Sequence, residues 1–366
     1  MSFITSIGIA NPANKVNQKQ IAEFMIGAMQ LQNAEADKLR ALYRASGIEY
    51  RHSVIEDYGS TPSKNFYSSS KDLEPFPDTQ LRMKLFRKEA VELSVSAAQN
   101  CLQFSSAKPT DITHLVVVSC TGMFAPGLDI DLIRRLKLDS TTKRTSINFM
   151  GCYAAFNALR VADSFCKSDP NAKVLIVCTE LCSIHFQKEN SEDNKLANAL
   201  FADGSASVLV EGNSNNSISL KIENFFCDIA IESENEMAWT IGNNGFEMKL
   251  SSYVPEVIKN GIHQLTQSLL TENNIKLDDV TYFAIHPGGK KILETIEQEL
   301  QLTKDQNKFS YEVLREYGNM SSPTVLFVLH KIFSELRQDD HNKKILSFGF
   351  GPGLTLESLI LTVNSK

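Results

Sequence analysis

The strongest constraint on this chain is an internal duplication. Asp111-Ile112-Thr113-His114-Leu115-Val116-Val117-Val118 and Asp279-Val280-Thr281-Tyr282-Phe283-Ala284-Ile285-His286 share one pattern, an apolar strand introduced by Asp, a hydrophobic residue and Thr. Nearly equal lengths of chain separate Asp111 from Cys152 and Asp279 from Asn319, and each of these residues stands at the start of an apolar segment with helical spacing. A buried strand follows each helix, 172–177 and 344–348, and then a closing strand, 204–210 and 353–360. Strands alternating with helices twice over predict an α/β chain of two similar halves whose pseudo-twofold axis brings the two helix starts together. The join is expected within 211–216, giving halves of 1–212 and 213–366.

Three residues at the ends of these elements carry chemistry. Cys152 lies where the strand-like 145–150 turns through Gly151 into the helix from Tyr153 to Phe165. A thiol there meets the positive end of the helix dipole, which favours the thiolate, although a buried structural cysteine is an equally ordinary occupant. His286 ends the strand 280–285 and is followed by Pro287-Gly288-Gly289, which presents its ring at a sheet edge. Asn319 precedes the helix 324–336, where asparagine also serves as a plain cap.

Gly318-Asn319-Met320-Ser321-Ser322, Gly349-Phe350-Gly351-Pro352-Gly353-Leu354-Thr355, His286-Pro287-Gly288-Gly289 and the Gly151-Cys152 helix start together resemble the type III polyketide synthases, the chalcone synthase-like members of the thiolase fold. The resemblance spans nearly the whole chain. It implies a five-layered thiolase-like fold of two βαβαβαββ halves. It further implies a homodimer that takes acyl-CoA and malonyl-CoA as substrates and needs no cofactor. Cys152 would be the acylated nucleophile and His286 its imidazolium partner. Asn319 would join His286 in donating hydrogen bonds to the malonyl thioester oxygen as negative charge develops. Decarboxylation supplies the carbanion without proton abstraction, so a site without a general-base carboxylate is expected.

The resemblance also names pocket residues. Phe201 matches a phenylalanine at the mouth of the reaction cavity, and the segment from Cys120 and Thr121 through Met123 to Gly127 matches one that lines the cavity and meets the partner subunit. Ala125 falls where plant members carry methionine. Met248, rather than Phe246, falls at a second gating position, and Gly351 with Pro352 belongs to the glycine-rich motif. Coenzyme A phosphates are expected on a basic stretch with Lys38, Arg40, Arg44, Arg51 and His52, of which the first three are the candidates, with a solvated helix face as the alternative.

Composition limits the other classes. A formal net charge of −6 argues against nucleic acid, and 42 % hydrophobic with 22 % charged residues is ordinary for a globular chain. Seven cysteines form no even framework, and the first ten residues read as a strand rather than a signal peptide, so a cytoplasmic chain with reduced thiols is expected. No stretch suits a membrane span, and Val363 to Lys366 is no lipidation signal. Cys178 and Cys182 lack a second pair at zinc spacing and are expected to pack in the core, with no metal site. Residues 57–80 and 187–194 read as polar surface loops. Alternatives to the synthase are a single-condensation ketosynthase using acyl carrier protein, a Cys-His-Asn hydrolase, and an inactive acyl-binding partner on the same fold.

Overall fold

The computed structural model describes residues 1–59, 65–214, 216–234 and 236–365. Parts of the expected 57–80 loop and 211–216 join, and Lys366, lie outside the described residues. The first half runs β1 (Phe3–Ala10), β2 (Lys15–Asn17), α1 (Gln18–Ala28), α2 (Asn33–Ala45), β3 (Tyr50–His52), α3 (Thr79–Gln103), β4 (His114–Ser119), α4 (Leu128–Leu136), β5 (Lys143–Asn148), α5 (Ala154–Ser168), β6 (Lys173–Leu181), α6 (Glu192–Leu200) and β7 (Asp203–Glu211). The second runs β8 (Ile218–Ile229), β9 (Met237–Gly242), β10 (Gly245–Leu250), α7 (Val254–Glu272), β11 (Val280–Ile285), α8 (Lys290–Leu300), α9 (Lys308–Tyr317), α10 (Thr324–Glu335), β12 (Lys344–Gly351) and β13 (Thr355–Ser365).

Nine of these strands hydrogen-bond in the order β11-β12-β13-β8-β1-β7-β6-β4-β5. The seam is the antiparallel pair β1 and β8, with Phe3 opposite Lys221 and Ile4 opposite Leu220. Outward from it the order repeats, β7-β6-β4 on one side and β13-β12-β11 on the other, which is the expected pseudo-twofold.

Side-chain alternation along the strands builds five layers. Val116, Val118, Val174 and Ile176 face α5 and α10, as do Ile345, Leu359 and Leu361 from the other half. Leu115, Val117 and Leu175 face α3 and α4 on one outside, and Phe283, Ile285, Leu346 and Phe348 face α7 and α8 on the other. Alanines 154, 155, 158 and 162 let α5 approach closely. The core side chains Val325 to Leu329 make α10 apolar all round, as a helix covered on both faces must be.

The repeat is incomplete in the second half. Where the first half has β5 ahead of Cys152, the second has α9 and an extended segment, and among the described residues no strand corresponds to β5. Phe309, Val313 and Leu314 recur at helical spacing and are buried, which makes that stretch a helix. Asn319 therefore stands five residues ahead of α10, whereas Cys152 adjoins α5 through a single 3-10 turn, Gly151–Tyr153. The expected loop 57–80 is also pinned rather than loose, since the buried Asp57 carboxylate accepts the N–H groups of Asn65, Phe66 and Tyr67. In the second polar stretch, α6 begins at Glu192, capped by Ser191.

Candidate active site

The turn that presents Cys152 is built by shape. Phe149 and Gly151 adopt φ of +59° and +80°, reversing the chain between β5 and α5. A Cβ on Gly151 would lie 2.4 Å from Cδ of Pro352, so only glycine fits both the conformation and the space. Gly351 makes a similar approach, its missing Cβ 2.6 Å from the Tyr153 ring. The Gly151 N–H donates to Cys120 Sγ at 3.0 Å, fixing the turn against the end of β4.

His286 and Asn319 arrive from the other half. The His286 N–H donates to Phe348 O at 2.8 Å, which carries β11 one residue further along β12 before Pro287 ends it. Its ring is 1 % exposed, and neither ring nitrogen has a protein partner. A buried polar ring left unpaired costs about 1–3 kcal/mol, which a bound ligand would recover. The Asn319 side chain is oriented by its neighbours: Oδ1 accepts the Ser321 N–H at 2.8 Å, and Nδ2 donates to Gly288 O at 3.2 Å. The second Nδ2 proton is turned toward the Cys152 sulfur.

Burial opposes charge on both reactive groups. It pushes the Cys152 thiol up to about 12, against hydrogen bonds from Ser321 and Asn319 that pull it down, and it pushes His286 down to about 3. The expected thiolate–imidazolium pair is therefore resisted from both ends, and the helix start and the two donors work against that resistance. Glu180 adds to it. This carboxyl is fully buried and raised by burial. It accepts from Cys120 N–H at 2.9 Å, Thr121 Oγ1 at 2.8 Å and Ser322 Oγ at 2.7 Å, and its charge raises Cys152. Glu180 stands behind the wall formed by Cys120 and Thr121 and lines neither void, so no carboxylate faces the cavity.

Cys152, His286, Asn319 and Phe201 line one cavity of about 270 Å³, with largely apolar walls from Leu200, Met237, Leu250 and Phe350. A second, smaller void shares Cys152, Phe201 and Met237 with it and is bounded by Cys120, Thr121, Met248 and Pro352, together with Cys182, Trp239 and Ser321. Gly351 lines neither void and acts by supporting the Cys152 turn. Met123 is 46 % exposed and Ala125 is also exposed, so of the 120–127 segment only Cys120 and Thr121 reach the site. Phe246 sits one step away, stacked on His185 with centroids 4.3 Å apart. Cys178 belongs to the central core, while Cys182 borders the void.

The basic stretch on α2 is not in the cavity. Arg40 is paired with Glu23 at 2.8 Å and Asp37 at 3.0 Å, and it lines a separate surface groove with Arg44. Lys38 lines neither the cavity nor that groove. The lysines that do line the cavity are Lys290 and Lys291, which directly follow His286-Pro287-Gly288-Gly289 in sequence.

A thiol, an imidazole and a carboxamide line one buried pocket of a duplicated five-layer α/β fold, the arrangement expected of a thiolase-like condensing enzyme. Comparisons with known proteins give the family. Residues 1–214 match the model for the N-terminal domain of chalcone and stilbene synthases, and 222–364 match that for the C-terminal domain. The chain belongs to this family, the type III polyketide synthases, which are condensing transferases. It is 27 % identical over 99 % of its length to an α-pyrone synthesis polyketide synthase-like protein, Pks18, of Mycobacterium tuberculosis, covering 91 % of that protein. A probable polyketide synthase of Dictyostelium discoideum is 32 % identical over 98 % of the chain, which spans only 11 % of that relative's length. Among solved structures, PKS-I of the brown alga Ectocarpus siliculosus superposes with a TM-score of 0.93 at 29 % identity, covering 99 % of this chain and 98 % of its own. The C-terminal type III polyketide synthase domain of Steely1 from Dictyostelium gives 0.90 at 30 %, covering 100 % and 99 %. No helix of the described residues is long and apolar enough to cross a membrane.

Proposed function

We propose that this chain loads an acyl group from an acyl-CoA onto Cys152, extends it with malonyl-CoA by decarboxylative Claisen condensation, and releases a cyclised pyrone or phenolic product. The observation that carries the reading is the convergence of Cys152, His286 and Asn319 on one cavity in which both ring nitrogens of His286 lack a partner.

In the loading step His286, kept neutral by burial, takes the thiol proton as Cys152 sulfur attacks the thioester carbonyl. The bond to the coenzyme A sulfur breaks, and the proton leaves on that sulfur. In extension the malonyl carboxylate departs as carbon dioxide, and its electron pair forms an enolate. The enolate oxygen is held by the His286 ring N–H and by the Asn319 Nδ2 proton that the thiol held before it was acylated. The enolate carbon attacks the acyl carbonyl, a carbon–carbon bond forms, and Cys152 is released. Beside Cys152 a further small void is walled by the flexible side chains of Met237 and Met248 and by Trp239.

A homodimer in the cytoplasm with no cofactor is part of the same reading. The dimer is supported by the edge strand β5, at which the sheet ends with four of its six residues exposed, and by the exposed Met123 and Ala125 in the segment after β4. Labelled malonyl-CoA with a panel of acyl-CoA starters tests the function. Carbon dioxide with a product longer than one extension supports it. A single extension dependent on acyl carrier protein supports a ketosynthase, free acid without decarboxylation a hydrolase, and binding without turnover an inactive partner.

A further inference from the structure

The cavity runs from exposed to buried lining residues, and its charge lies on the less buried ones. Ala45, Ser252 and Lys291 are exposed at the mouth, while Cys152, His286 and Asn319 are buried. Among the described residues Lys290 and Lys291 are the only charged side chains lining it, and no Asp or Glu does. In a chain whose formal net charge is −6, two cations without a carboxylate at the mouth of an apolar cavity suit a ligand with an anionic tail and a neutral, threadable arm. Lysine binds phosphate as a point charge, and both lysines open α8, whose first-turn amides and dipole add to the attraction.

The lysines are also placed for the task. The backbone leaving α2 packs on the Lys290 stem, since a Cβ on Gly47 would lie 3.4 Å from Lys290 Cβ, and Gly47 holds φ +79° to do so. Lys290 is only loosely paired, to Glu294 at 3.7 Å, and among the described residues Lys291 forms no ion pair. Arg40, by contrast, is already neutralised by two carboxylates.

We propose that Lys290 and Lys291 anchor the phosphates of a phosphopantetheine thioester, so that its acyl end reaches Cys152, in place of the basic stretch on α2. The proposal rests on the polyketide synthase reading for what the arm carries, but not for the anchor itself. The test compares wild type with Lys290→Ala/Lys291→Ala, with Lys259→Ala on α7 as the surface control. Three malonyl donors are used with one starter: malonyl-CoA, malonyl-acyl carrier protein, and malonyl-pantetheine, which has no phosphate.

The double variant should raise KM for a phosphate-bearing donor about tenfold or more, leave kcat and the pantetheine reaction unchanged, and flatten the salt dependence of KM. Whichever of the first two donors shows the rise identifies the source of the arm. Equal changes for all three donors, no change for any, or a loss that appears instead in Arg40→Ala/Arg44→Ala would overturn the anchor. Calorimetric binding of coenzyme A alone separates the two readings. A wild type that binds it tightly, with binding weakened in the double variant, keeps the anchor even if nothing is condensed.

Discussion

Phe201 and Asn319 are held in register as an isolated parallel bridge between the two halves: the Asn319 N–H donates to Leu200 O at 2.9 Å, and the Ala202 N–H donates to Asn319 O at 2.8 Å. Two residues that line the cavity therefore share one backbone setting. Buried Arg51 secures it, giving Nη1 to Phe201 O at 2.6 Å and Asn198 O at 2.8 Å, and Nε to Gln18 Oε1 at 2.9 Å.

Arg51→Lys keeps the charge but loses the planar fork that reaches all three oxygens. Unfolding in urea should show a loss of about 2–3 kcal/mol, since hydrogen bonds to charged groups contribute about 1.5–3 kcal/mol each. Condensation should fall more than acyl loading, because Asn319 shifts with Phe201. An unchanged ratio of the two steps would separate Arg51 from the site.

Ser321 holds a hydrogen bond to the Cys152 sulfur that lowers its pKa, so removing it favours the neutral thiol. In Ser321→Ala the pH profile of iodoacetamide inactivation should move to higher pH, with slower alkylation at pH 7. A profile that stays in place, or moves down, would show that this donor does not act on the sulfur.

Gly151→Ala forces a Cβ into φ +80° and against Pro352. A destabilisation of about 1–3 kcal/mol in denaturant unfolding is expected, together with loss of acyl loading. Wild-type stability would mean that the turn relaxes freely and does not set the position of Cys152.

Much of this is legible in the sequence. Apolar strands carry their own signal, 114–119 buried throughout and 280–285 buried at Val280 and from Phe283 onward, and Cys152, His286 and Asn319 lie where regular elements begin or end. The missing counterpart of β5 was hidden because duplication led one to expect a strand where Phe309, Val313 and Leu314 specify a helix. Glu180 was masked by its setting between Cys178 and Cys182, since nothing local distinguishes a core carboxyl that donors from Ser119, Cys120, Thr121 and Ser322 will meet. The basic residues of α2 drew attention by their number, yet their direction depends on Glu23 and Asp37, whereas Lys290 and Lys291 gain significance only because β11 and α8 place them over the cavity.

The division of labour within the site is tested most directly by carbon dioxide release from labelled malonyl-CoA. Cys152→Ala should abolish chain extension yet still decarboxylate malonyl-CoA, because His286 and Asn319 hold the enolate. Adding Asn319→Ala to it should cut that release by about a hundredfold or more. Extension by Cys152→Ala at the wild-type yield, or equal carbon dioxide release from the single and double variants, would contradict the account.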